Sequence, residues 1–185
     1  MIVMAGGEER MTPVVEFGIP PGWRKPVGDE ARSSLGSVLA VRPDAEAGIV
    51  VASGFRTDNA TLADIADQFV AAVRTAGVDV EVLRRAEMAA GAAEGFAQLV
   101  KLRDGSGIVQ CHAFLAVPDA YDERTRTVLR VVLSTTVPHL AVVAADFQEF
   151  LGGIRAAVRA DPAGDGREGE RAVALSTWPA WSGPR

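Results

Sequence analysis

IVVASGFRTDNATLADIADQFVAAVRTAGVDVEV, residues 49–82, changes its hydrophobic period twice. Ile49 to Phe55 is almost wholly apolar, which predicts a strand covered on both faces. From Leu62 onward the apolar positions are Leu62, Ile65, Ala66, Phe69, Val70 and Val73, the spacing of one helix face. Thr61 and Asp64 predict a reciprocal cap at the helix start, although Asp reaches back less well than Glu would. Gly77 supplies the residue that tolerates a left-handed backbone at the helix end. Beyond it Val78, Val80 and Val82 alternate with Asp79, Glu81 and Leu83, the period of a half-buried strand. A strand, an amphipathic helix and a further strand in one stretch exclude an all-helical or all-strand chain.

Working outward, Val14-Val15-Glu16-Phe17 predicts a short strand stopped by Ile19-Pro20-Pro21-Gly22, with Trp23 directly after it. Residues 1–12 read as a flexible leader, with Met11 as an alternative start. Leu35–Val41 predicts another strand, separated from Ile49 by the turn-rich Arg42–Gly48. Downstream, Gly91 and Gly95 flank Ala92-Ala93-Glu94. Phe96–Leu102, the turn Arg103-Asp104-Gly105-Ser106-Gly107 and Ile108–Val117 then form a hairpin signal. Pro118–Glu123 reads as a loop and Val128–Thr136 as the last strand. A second helix is predicted from Pro138, its stripe running Leu140, Val143, Ala144, Phe147, Phe150, Leu151, Ile154 and Val158. Gly152-Gly153 inside it predicts a bend, a close contact or an early end. Residues 161–185 read as a solvated linker followed by a Trp- and Pro-containing tail, leaving residues 13–160 as a single α+β domain: an antiparallel sheet flanked by two amphipathic helices.

With 185 residues, 48% apolar and 23% charged, the chain can bury about 70% of its unfolded surface without disulfides or metals. A net charge of −5 argues against broad attraction to nucleic acid or anionic lipid. The single cysteine, Cys111, forms no internal disulfide, and with two histidines it leaves too few soft ligands for a compact zinc site. The first residues contain no basic-then-apolar secretion signal and no cysteine for a lipid anchor, and the apolar runs fall well short of the roughly 20 residues a bilayer span needs. These features predict a cytoplasmic location.

Catalytic groups are sparse. Cys111 and His112 are neighbours on a predicted strand and point to opposite faces, so they make no nucleophile–base pair. The expectation is a buried structural cysteine beside a half-exposed histidine, with His139 in a local turn contact. Asp161, Asp165, Glu168 and Glu170 depart from the spacing of a calcium loop. Asp119, Asp122 and Glu123 fit a charged loop. Neither Gly91–Gly95 nor Gly105–Gly107 carries the ending of a phosphate-binding loop. Arg84, Arg85, Lys101, Arg103, Arg124, Arg126 and Arg130 lack the interleaved aromatics of a nucleic-acid surface and read as a solvated, salt-bridged strand surface. No catalytic residue, cofactor site or metal site is expected.

The tryptophans carry the stronger signal. Trp178 and Trp181 in the tail would expose much apolar surface unless docked, either on the protein's own sheet or on another chain. Trp23 anchors a loop on the core or contacts a partner.

The order of these elements resembles the PsbP-like α/β/α sandwich, in particular the DcrB and LpqN group of bacterial proteins. The resemblance rests on Pro21-Gly22-Trp23 after the first strand, Ile49–Phe55, and the helix led by Thr61-Leu62. Gly95-Phe96-Ala97-Gln98-Leu99, the hairpin to Ile108–Val117 and a late helix with Phe147 and Phe150 complete it, over roughly residues 13–158. The resemblance implies a non-enzymatic binding protein, as photosystem accessory subunits, lipoproteins and secretion adaptors of this type are. The expected role is a cytoplasmic adaptor or chaperone for a secreted or assembled protein partner, with Trp23, Phe55, Trp178 and Trp181 as contacts and neither nucleic acid nor a direct membrane anchor involved. The alternatives are a small-molecule or lipid-binding protein with a pocket between sheet and helix, and a self-assembling subunit such as a homodimer.

Overall fold

The computed structural model describes residues 14–33, 35–90, 93–118, 126–157 and 173–174. Its strands and α-helices, in chain order, are β1 (Val14–Glu16), β2 (Ser37–Arg42), β3 (Ala47–Arg56), α1 (Leu62–Thr75), β4 (Val80–Ala90), β5 (Ala93–Leu102), β6 (Ile108–Pro118), β7 (Arg126–Thr136), α2 (Leu140–Gly152), β8 (Arg155–Ala157) and β9 (Val173–Ala174). Strands β2 to β7 form one antiparallel sheet in the order β2-β3-β7-β6-β5-β4, and β1-β8-β9 form a small second sheet.

Period-2 alternation on the inner strands produces two cores. Ile49, Val51, Leu99, Ala113, Leu115, Val131 and Leu133 face Val143, Phe147, Phe150 and Leu151 of α2. The intervening residues Phe96, Phe114, Ala116 and Val128 face Leu62 and Ala66 of α1, while Val80 and Val100 face Val70. One helix therefore lies on each side of the six-stranded sheet. The fold is α+β, a helix–sheet–helix sandwich. Val15 and Phe17 extend the α2-side core, Phe17 stacking on Phe150 with ring centroids 5.8 Å apart.

The predicted helix cap forms in full. Thr61 Oγ1 accepts the Asp64 N–H at 3.1 Å, and the Thr61 N–H donates to Asp64 Oδ2 at 2.8 Å, so the shorter acid does close the reciprocal pair. Removing the hydroxyl in Thr61→Ala is expected to cost about 1 kcal/mol. A lower urea midpoint with an unchanged slope checks it. At the other end Gly77 adopts φ +87°, the left-handed conformation that stops the helix.

Two features differ from the sequence reading. The second helix stops at Gly152 and does not carry its stripe to Val158; of the outcomes foreseen for the glycine pair, the early end is the one adopted. The Gly153 N–H still reaches back to Glu149 O at 2.9 Å, but Ile154 is buried off the helix and β8 begins at Arg155. Strand β4 by contrast keeps to the strand reading and runs on through Arg84–Ala90, where seven register pairs with β5 override a composition rich in helix formers. Val173–Ala174, inside the stretch read as linker and tail, pairs with β8. Two residues are too few to show a period.

Candidate functional site

Cys111 and His112 leave β6 on opposite faces, as the strand period requires. Cys111 is buried in the α2-side core, and burial pushes its thiol up to about 12, so it stays protonated and unreactive near neutral pH. His112 is 0% exposed and corrects the half-exposed expectation. The reason is that α1 covers β6 on the face opposite α2, leaving that strand no solvent side.

The His112 ring packs against Phe69 with centroids 4.4 Å apart and against Phe114 at 6.2 Å. Gln110 Nε2 donates to Ser134 Oγ at 3.2 Å, which turns Gln110 Oε1 toward His112 Nε2 at 3.1 Å. That pairing puts the ring proton on Nε2 and leaves Nδ1 as a buried lone pair without a partner. Burial, and secondly the charge of Arg130, lower the His112 pKa to about 3, so the ring is neutral. Directly across the ladder is Gln98, whose Nε2 lies 3.5 Å from Ala66 O and whose Oε1 is also unpartnered. The sequence reading missed this seam. Its signal was present: a hairpin closing on residues 103–107 places Gln98 opposite His112 and Val100 opposite Gln110.

Arg130 belongs to the same interior and not to a solvated strand surface. Its guanidinium lies 4.8 Å above the Phe69 ring, its Nη2 donates to Leu35 O at 2.7 Å, and burial lowers its pKa. Arg85 pairs with Asp67 of α1, and Arg103 with Glu81 at 2.8 Å. Arg126 donates to Ala60 O. These cations are spent one by one. His139 makes the expected local contact, its Nδ1 lying 3.1 Å from Thr136 Oγ1. Among the described residues no group of three His, Cys, Asp or Glu is placed to hold a metal. Arg124, the acidic groups Asp119–Glu123 and Asp161–Glu170, and the tail residues Trp178 and Trp181 lie outside the described residues.

Trp23 is buried at 7% exposure, and its Nε1–H donates to Asp146 Oδ2 at 2.8 Å. Arg42 Nη1 reaches the same carboxylate oxygen at 2.6 Å, so Asp146 of α2 pins both the Trp23 loop and the end of β2. Phe55 is the opposite case, 41% exposed near the far end of β3. The residue after Trp23, Arg24, bridges Val41, which pairs with Gly48; Phe55 is seven residues further along, roughly 24 Å at strand rise. Trp23 and Phe55 therefore do not share one surface.

The sheet leaves two stretches of open edge. β2 pairs with β3 only from Ala47 to Val51, while β7 pairs with β3 out to Arg56. Gly36 still lies against Val51 and Ala52, but among the described residues Ser53–Arg56 has no strand on its outer side, and Phe55 stands in that stretch. Among the described residues no strand pairs with the outer side of β4 either, although Arg74 Nη2 takes up the Val80 carbonyl there. By contrast the β2 edge is partly closed: Arg24 and Val41 exchange both backbone hydrogen bonds, at 3.0 and 2.9 Å. A narrow apolar crevice between α2 and the sheet, lined by Leu99, Cys111, Leu140 and Phe147 among others, has room for no more than about one water molecule.

No family model and no curated protein matches this chain. Solved structures do. The chain is similar to the cyanobacterial PsbP (CyanoP) of Synechocystis, with 13% identity, TM-score 0.54, and 84% of this chain and 98% of that chain covered. It is equally similar to LpqN of Mycobacterium tuberculosis, described as involved in cell envelope biogenesis. There the identity is 13% and the TM-score 0.54, with 79% of this chain and 84% of that chain covered. The fold is PsbP-like.

Proposed function

We propose that the chain is a non-enzymatic binding module for a protein partner, an adaptor or chaperone acting in the cytoplasm, and that it takes an extended segment of that partner along the open half of β3. The observation that carries this reading is the open edge Ser53–Arg56, beyond the point where Gly36 still lies against Val51 and Ala52, with Phe55 exposed in it. Unpaired backbone groups on a strand edge accept an added strand, and a neighbouring aromatic supplies the anchor that fixes which strand binds. A partner segment there would continue the line that β2 leaves at Ser37. The buried, unreactive state of Cys111 and His112 agrees with a role outside chemistry. A small molecule or lipid beneath α2 would require that helix to move, given the width of the crevice.

The test is affinity capture from host lysate with the full chain and with Phe55→Asp. Because Phe55 is half exposed, the thermal midpoint is expected to hold nearly constant, while recovery of the partner falls about tenfold. Equal recovery by both proteins places the contact elsewhere, and no partner above background defeats the adaptor reading. A chain ending at Ala160 reports in the same experiment whether the Trp178 and Trp181 tail contributes.

A further inference from the structure

The second open edge has a chemistry of its own. β4 carries an extra residue at Leu83, between the pairs Val82↔Val100 and Arg84↔Leu99. Before that bulge Asp79 turns its carbonyl inward to the Arg103 N–H, at 2.9 Å. Val80 turns its carbonyl outward to Arg74 Nη2, at 2.8 Å. Even-numbered residues thus face the outer edge there, and one inserted residue reverses the phase. Beyond Leu83 it is Arg85 and Glu87 whose backbone groups face outward. Their side chains lie on the α1 face, opposite Gln98 and Phe96 in the β5 register, with the Arg85 guanidinium over Asp67. Among the described residues no segment pairs with this edge.

We propose that this edge joins two copies of the chain, β4 against β4 in antiparallel register about Ala86, with each Arg85 opposite Glu87 of the partner subunit. In that register Arg85 and Glu87 form the hydrogen-bonded pairs, and Ala86 meets its own copy at the closely spaced position, where a small side chain fits. Opposite charges directly across an antiparallel pair attract, and like charges repel. Registers centred on Arg85 or on Glu87 set that residue against its own copy and are disfavoured. The charges and the bulge that keep arbitrary strands off an edge therefore select this one. The contact is isologous and closed, which yields a dimer and not a fibre. The surface is separate from the β3 edge and from Phe55, so the inference stands independently of the partner-binding reading.

Sedimentation of the full chain over a dilution series tests it, together with Arg85→Glu, Glu87→Arg and the double exchange. The expected result is a concentration-dependent dimer, weakened about tenfold or more by either single exchange and restored by the double one. Glu87→Arg leaves the Arg85–Asp67 pair intact, and its thermal midpoint shows that the fold is retained. A wild-type chain that stays monomeric at every concentration overturns the proposal. So does a dimer indifferent to the single exchanges, or one that the double exchange fails to restore.

Discussion

Acidification from about pH 7 to about pH 4.5 is expected to remove about 3 kcal/mol of stability through His112 alone. Its pKa in the fold is lowered to about 3 from the usual 6.5, by burial first and by Arg130 second. Above pH 6.5 both folded and unfolded chains hold a neutral ring, and the contribution is complete. As the pH falls below 6.5, unfolded chains take up a proton that the fold excludes, and stability drops by about 1.4 kcal/mol per pH unit until about pH 3. Among the described residues no carboxylate relieves this, since Asp67 of α1 is held by Arg85, while Arg130 adds positive charge. The lowered carboxylates Glu30, Asp44, Asp58, Asp64 and Asp104 act in a different window, because their ordinary values are 3.8 to 4.5. Urea unfolding at several pH values, for the wild type and His112→Leu, isolates the effect. The variant removes the partnerless Nδ1 but also the Nε2 bond to Gln110 Oε1, two effects that oppose each other, so near pH 7 it is expected within about 2 kcal/mol of wild type. Its stability should then change far less between pH 6.5 and 4.5. Parallel curves for the two proteins would show that His112 is not the residue responsible.

Phe150→Ala is expected to cost about 3–5 kcal/mol, a large part of the roughly 5–15 kcal/mol by which an ordinary domain is stable. Phe150 is 1% exposed, sits on the inner face of α2 and stacks on Phe17 ahead of β2. Truncation removes contacts to the α2-side core and to the segment that continues β1. At the size of this chain such a loss lowers the thermal midpoint by about 10 °C. Phe150→Leu, which keeps most of the volume, is expected to lose less than about 2 kcal/mol. A deficit below about 1 kcal/mol for the alanine variant would mean that the α2 face can collapse around the gap.

The elements with a strong period and a defined stop were readable from residues alone. Leu62–Val73 with its Thr61 cap and Gly77 stop is one, and the hairpin around Asp104–Gly107 another. What escaped had no local cause. The full length of β4 through Ala90 is set by its pairing with β5, and no pattern within Arg84–Ala90 marks it as an edge. His112 looked half exposed because a histidine on a strand usually has a solvent side. The continuous apolar run Ala113–Val117 after it was the sign that β6 has none. Of the proposed contact residues, the burial of Trp23 follows from a long-range bond to Asp146, 123 positions away. The open half of β3 arises from a difference in strand length that single-strand patterns do not express.

β1 and β8 set Val14 opposite Ala157, Val15 opposite Ala156 and Glu16 opposite Arg155. The outermost residues of the two strands therefore lie at the same end of the ladder. A pull applied across residues 14 and 157 loads these pairs in series, like a zipper, and not in parallel shear. The β1–β8 ladder thus parts one pair at a time, with the packing of Val15 on the α2-side core as the further resistance before the six-stranded sheet is loaded. Mechanically, the second sheet is a fuse placed ahead of the domain.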